Sequence, residues 1–175
     1  MSTLVDYRIR QLAEKRQLIE PFSEEQLNPA SYNLTIGQKA FIEAPIIGPD
    51  RTEDGLTPVD LTKGFWVPPG GWILTDVQEV IDVPPNLEAQ VILRSSAARK
   101  GWDHALAGFV DPGYKGRLTL EFVNCLKHHS LEIKTGLQMV QLKFSLLDSI
   151  PEQHYAQTGR YHDAVAVEGC KDETL

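Results

Sequence analysis

Glu121 lies in the run LTLEFVN, residues 118 to 124, where bulky apolar residues alternate with others. A period of two puts Leu118, Leu120 and Phe122 on one strand face and Thr119, Glu121 and Val123 on the opposite one. If that second face meets water, Glu121 is one more solvated carboxylate, and the pattern alone favours this reading. If it meets a pocket, a carboxylate among Thr, Val and aromatic neighbours binds its proton more tightly, as a general base requires. Upstream, RSSAAR at residues 94 to 99 sets two serines and two alanines between two arginines. Arg94, Ser95, Ser96 and Arg99 then combine two cations with hydroxyl and amide donors, which suits phosphate oxygens. The plainer alternative is a helix start, with Ser95 or Ser96 as N-cap and solvated arginines. Between the two runs lies AGFVDPGYKG, residues 107 to 116. Asp-Pro-Gly is first of all a turn signal, and a functional Asp111 must also reach a sugar hydroxyl or a water.

Several other chemistries lack their residues. Zinc-dependent nucleobase deaminases use H-x-E with a later P-C-x-x-C. There is no C-x-x-C here, and His104, His128, His129, His154 and His162 make no such spacing, so no zinc site is expected. Nor is there a Walker loop, a dinucleotide fingerprint or a G-x-S-x-G elbow. The formal charge of −7 speaks against a general nucleic-acid binder, whose affinity rests on clustered Lys and Arg. It leaves room for one small anion held by a few converging arginines.

The elements that must position these groups read as one mainly β domain over residues 1 to 150, followed by a tail from 151 to 175. Residues 4 to 18 show helical spacing through Leu4, Tyr7, Leu12 and Leu18. Ser23 and Gln26 have the spacing of a capping box on one short turn. Tyr32, Leu34 and Ile36 then alternate as a strand that Gly37 ends. Strand-like runs follow at 72 to 75, 79 to 83, 89 to 93, 118 to 123 and 140 to 146, punctuated by Pro and Gly turns, the pattern of a sandwich, jelly roll or barrel. Residues 44 to 64 look like a long loop or hairpin excursion, and the polar tail has one weak apolar patch at 164 to 167. No run approaches the ~20 apolar residues of a membrane span, and the charged N-terminal run shows no secretory leader. Two cysteines, Cys125 and Cys170, suit a reducing, cytoplasmic setting.

Taken in order, RSSAAR, AGFVDPGYKG and LEFVN resemble the dCTP deaminase family, which shares a distorted jelly-roll barrel with the homotrimeric dUTPases. The likeness includes PASYNLTIG at 29 to 37, the VPP stretch at 83 to 85 and GLQMVQLKF at 136 to 144. It implies an N-terminal helix on a dUTPase-type barrel, and deamination of dCTP by a Glu121 general base that activates water without zinc. Trimeric dUTPases carry an apolar residue there. By the same resemblance Ser95 and the Ala107 carbonyl hold the water and base, and Arg99 supports the site across a subunit boundary. Arg94 and Ser96 hold phosphates, Asp111 meets the 3′-hydroxyl, and Tyr155, Arg160 and Tyr161 belong to a tail that moves to close over the nucleotide. Magnesium is expected on the triphosphate, dUTP or dTTP as further ligands, and a homotrimer as the assembly.

The sequence departs from the family at Asn33, where Asp is usual, at Leu93 for Gly, and at Lys100 for an apolar residue. In the tail, Arg160 and Ala164 replace the lysine and glutamine of K-Y-x-x-Q. Gly108 is similar to bifunctional members, where a glycine lets backbone approach the ligand and a second water, oriented by Asp111, attack the α-phosphate. A dUMP-forming enzyme, a dUTPase and a non-catalytic nucleotide-binding regulator are therefore the competing readings.

Overall fold

A computed structural model describes residues 2 to 16, 18 to 43, 55 to 105 and 107 to 172. Their order is β1 (Ser2–Thr3), α1 (Asp6–Arg16), β2 (Ile19–Glu20), β3 (Leu27–Asn28), β4 (Ser31–Glu43), β5 (Leu56–Asp60), β6 (Phe65–Val67), β7 (Trp72–Asp82), β8 (Leu87–Leu93), α2 (Ser95–Arg99), β9 (Trp102–His104), β10 (Phe109–Val110), β11 (Lys115–Asn124), β12 (Leu131–Ile133), β13 (Gln138–Leu146) and α3 (Tyr155–Thr158). The main sheet runs β10-β8-β13-β4-β7-β11-β9, with antiparallel pairing throughout. Its two ends meet along the chain. The Ala105 N–H donates to the Glu121 carbonyl at 3.1 Å, and the Val91 N–H to the Gly108 carbonyl at 2.7 Å. These bonds continue the β9–β11 and β10–β8 pairings, so consecutive stretches of chain lie at the two ends of the curled antiparallel sheet. Tyr32, Leu34, Ile36, Phe122, Val140, Leu142 and Phe144 fill the interior, each fully buried.

Several local readings change. Helix α1 is shorter than the apolar spacing predicts, because Leu4 already donates its N–H to the Phe144 carbonyl and Leu18 accepts from Asp82. Its buried face is Ile9 and Ala13, while Tyr7 is exposed. The turn after Ser23 forms without a side-chain cap; Gln26 instead reaches across to Glu79 at 2.7 Å. Gly37 does not end its strand: β4 continues to Glu43, with a register shift between Ile36 and Ala40. The runs at 72 to 75 and 79 to 83 are one strand. Of the expected excursion at 44 to 64, residues 44 to 54 lie outside the described residues, and β5 returns to pair with β4. The tail from Tyr155 to Asp172 is packed on the body. Ala164 bridges Gly116 in parallel, and Ala164 and Val167 are buried. No helix among the described residues is long and apolar enough to cross a membrane.

Candidate active site

Strand β11 separates its two faces as the alternation predicts. Leu118, Leu120 and Phe122 are buried and Thr119 and Glu121 half-buried, and residues 118 to 121 together line a cavity of about 1290 Å³. Trp72, Leu74 and Val91 form apolar walls, Ala107 and Asp111 one rim, and Tyr155, Tyr161 and Glu168 of the tail another side. The Glu121 side chain is 24% exposed, yet its Oε2 is buried and has no hydrogen-bond partner among the described residues. Burial raises its pKa above the ordinary carboxylate value, because an unpaired charge in a low-dielectric wall is poorly solvated.

His104 stands behind it. β9 pairs with β11 so that His104 faces Phe122, edge-on at 5.7 Å between ring centroids. Its Nε2, 3.9 Å from Glu121 Oε2, is likewise buried without a partner. Burial lowers the His104 pKa, against an opposing influence of Asp103, and so favours the neutral ring. At 3.9 Å the two groups do not share a direct hydrogen bond. The histidine spacing of the zinc deaminases is the wrong signal for this residue; the useful one is Trp102 and His104 alternating inward around an exposed Asp103.

Asp111 forms the turn that its sequence signals. The Tyr114 N–H donates to its carbonyl at 3.1 Å and Gly113 has φ +81°, which makes Asp111 to Tyr114 a type II turn. The turn uses only the backbone of Asp111, so its carboxyl remains at the cavity rim, where burial raises its pKa. A neighbouring cavity of about 490 Å³ shares Asp111, Tyr155 and Tyr161 and also reaches Arg160, which is paired with Asp172. Gly108 has a packing reason of its own: a Cβ there would come within 2.7 Å of the Val91 carbonyl oxygen, beside the hydrogen bond from the Val91 N–H to the Gly108 carbonyl.

The remaining candidates lie elsewhere on the chain. Ser95, Ser96 and Arg99 belong to α2 and are exposed, and none of them lines the cavity. Arg94 is the N-cap residue of α2, so neither serine caps it, and its guanidinium donates to the Gln138 carbonyl at 2.9 Å. A single copy therefore gathers Glu121, Ala107, Asp111, Tyr155 and Tyr161, and leaves the serine and arginine cluster facing outward. Among the described residues no group of His, Cys, Asp and Glu is arranged to hold a metal ion.

Comparison with known proteins bears on this geometry. A family model described as dCTP deaminase-like matches residues 3 to 147. A Thermococcus kodakarensis protein named dCTP deaminase is 37% identical over 152 residues, which cover 87% of this chain and 88% of the relative. A Nanoarchaeum equitans protein named dCTP deaminase, dUMP-forming, is 31% identical over 182 residues, 91% of each chain. Among solved structures, the 2'-deoxycytidine 5'-triphosphate deaminase of Agrobacterium tumefaciens superposes with a TM-score of 0.68 at 23% identity. The match covers 83% of this chain and 48% of that one, about half its length, and speaks for the fold.

Proposed function

This chain belongs to the dCTP deaminase-like family, and we propose that it hydrolyses dCTP to dUTP and ammonia with Glu121 as general base. The observation that carries this reading is the Glu121 oxygen that no group among the described residues satisfies, on the wall of a cavity large enough for a nucleotide. A water held on that oxygen gives its proton to Glu121, and the resulting hydroxide attacks C4 of the cytosine ring. Glu121 then returns the proton to the departing amino group, which leaves as ammonia, so that water and dCTP balance dUTP and ammonia. His104, kept neutral by burial, offers no cation to Glu121, which leaves the carboxylate its affinity for a proton.

Charge that develops on the ring needs donors and cations. In this reading Ser95 and Arg99 supply them from a neighbouring copy in a homotrimer, together with the Ala107 carbonyl as acceptor. Their outward position on α2 supports an assembly in which one copy completes the site of another. Arg94, Ser96 and Arg160 hold the phosphates, Asp111 meets the 3′-hydroxyl, and Tyr155 and Tyr161 flank the sugar. Magnesium arrives with the triphosphate as part of the substrate, and dUTP or dTTP are further ligands of the same cavity. The exposed free thiols Cys125 and Cys170 suit the cytoplasm.

A second reaction is favoured by one specific observation. The Asp111 carboxyl stays available at the cavity rim, and the Nanoarchaeum relative carries a dUMP-forming name. If Asp111 orients a water at the α-phosphate, dCTP yields dUMP and pyrophosphate, and Asp111→Asn abolishes pyrophosphate release. Incubation of the purified protein with dCTP and magnesium, with ammonia, dUTP, dUMP and pyrophosphate resolved by chromatography, tests both readings. Ammonia must appear one-for-one with uracil nucleotide; dUTP marks the deaminase alone, and dUMP with pyrophosphate marks the bifunctional enzyme. Unchanged dCTP overturns both.

A further inference from the structure

Asp76 is a carboxylate for which the chemistry above has no use. It lies midway along β7, is 2% exposed and does not line the cavity. Both neighbouring strands give way around it. β4 shifts register between Ile36 and Ala40, and β11 shifts between Arg117 and Thr119. A Cβ at Gly37 would fall 1.9 Å from Asp76 Oδ1, so the carboxylate occupies the space of the side chain that position 37 lacks. Oδ1 has no hydrogen-bond partner among the described residues, and Oδ2 is 3.8 Å from Arg117 Nη1. Buried carboxylates are retained at a cost unless something pairs with them.

What comes to Asp76 from outside the barrel is the tail. The Arg117 N–H donates to the Ala164 carbonyl at 2.8 Å, the Asp163 N–H to the Lys115 carbonyl at 2.8 Å, and the Glu168 N–H to Thr119 Oγ1 at 3.3 Å. Thr119 is the register partner of Asp76, so this alignment seats the buried Val167 against the carboxylate. Burial pushes the Asp76 pKa up, whereas the Arg117 guanidinium, the Val167 backbone N–H and Lys39 favour the charged form. The same stretch of tail brings Tyr161, Ala164 and Glu168 to the cavity that holds Glu121.

We propose that Asp76 is a positioning residue whose carboxylate anchors the strap of residues 163 to 168 to the barrel wall and thereby holds one side of the nucleotide cavity. The link to nucleotide affinity rests on the function proposed above; the docking of the strap does not. Asp76→Asn keeps the shape and removes the charge, and Val167→Pro removes the strap N–H beside the carboxylate. Val167→Ile, which keeps the N–H, is the control.

Hydrogen–deuterium exchange of the full-length protein decides the matter. In Asp76→Asn and Val167→Pro, amides 163 to 168 exchange at least ~10-fold faster while β7 and β11 keep their protection, and Val167→Ile behaves as wild type. The KM for dCTP rises several-fold in the first two variants, with kcat less affected. Wild-type protection of the strap in both variants overturns the anchor, as does loosening spread evenly over β4, β7 and β11, which marks Asp76 as an ordinary core residue. A KM that stays unchanged while the strap loosens overturns the link to nucleotide. Should the wild-type protein leave dCTP untouched, the functional reading fails, and exchange still judges the anchor.

Discussion

Glu79 and Glu121 are carboxylates on adjacent strands of one sheet, and their surroundings differ in one respect. Glu79, 2% exposed, accepts from Gln26 Nε2 at 2.7 Å on one oxygen and from the Thr35 N–H at 3.0 Å on the other. Glu121 opens to a cavity and keeps a buried oxygen without a partner among the described residues. The first arrangement uses the charge to tie the 3-10 turn before β3 to β4 and β7. The second leaves proton affinity unspent and available to a reacting water. A residue type alone says little; the count of satisfied lone pairs separates a structural carboxylate from a chemical one.

Three substitutions or titrations sharpen that contrast. The largest effect is expected for Glu121→Gln, which keeps the shape and removes the basicity: kcat for dCTP falls at least ~10²-fold while nucleotide binding stays within a few-fold, measured by single-turnover kinetics and titration. Next is Glu79→Gln, which puts an amide against two donors. It lowers stability by about 1–3 kcal/mol, read as a Tm drop of several degrees at ~2–4 °C per kcal/mol for a chain of this size. Its kcat per folded molecule is unchanged. If the two substitutions exchange these outcomes, the contrast is wrong.

The smallest effect concerns pH. A base must be ionised, so kcat/KM falls as pH drops through the raised pKa of Glu121, and the acid limb lies above the ordinary carboxylate range. Stability moves the other way. With the folded pKa raised above the unfolded one, the contribution of Glu121 to stability is fully present below the unfolded pKa and is lost as pH rises through the folded pKa. Relative to Glu121→Gln, the wild type therefore gains Tm on acidification from neutral pH. Parallel melts of both proteins between neutral pH and about 4.3 check the sign.

Much of this was legible in the residues. The alternation of LTLEFVN assigned both faces of β11, and Asp-Pro-Gly marked its turn, because strand period and turn chemistry are local. The continuation of β4 past Gly37 was not legible, since the reason lies in the Asp76 carboxylate, distant in sequence. The packing need at Gly108 was not legible either, because the Val91 carbonyl that claims the space belongs to a different strand. His104 escaped notice because its role depends on the register of β9 against β11, which only tertiary pairing sets. The position of α2 outside the cavity was equally invisible; the resemblance of RSSAAR to a known motif implied contacts to phosphate and base and a site spanning two copies.

That spanning is open to direct measurement. Arg99→Ala and Glu121→Gln, each nearly inactive with dCTP, are mixed in equal amounts, unfolded and refolded together, and assayed for ammonia release with the oligomeric state followed by light scattering. In a trimer whose every site takes Glu121 from one copy and Arg99 from a neighbour, random assembly restores an intact pair at about one site in four. The mixture should then regain about a quarter of wild-type activity. A fully active monomer, or a mixed trimer that remains as inactive as its parents, would contradict the account.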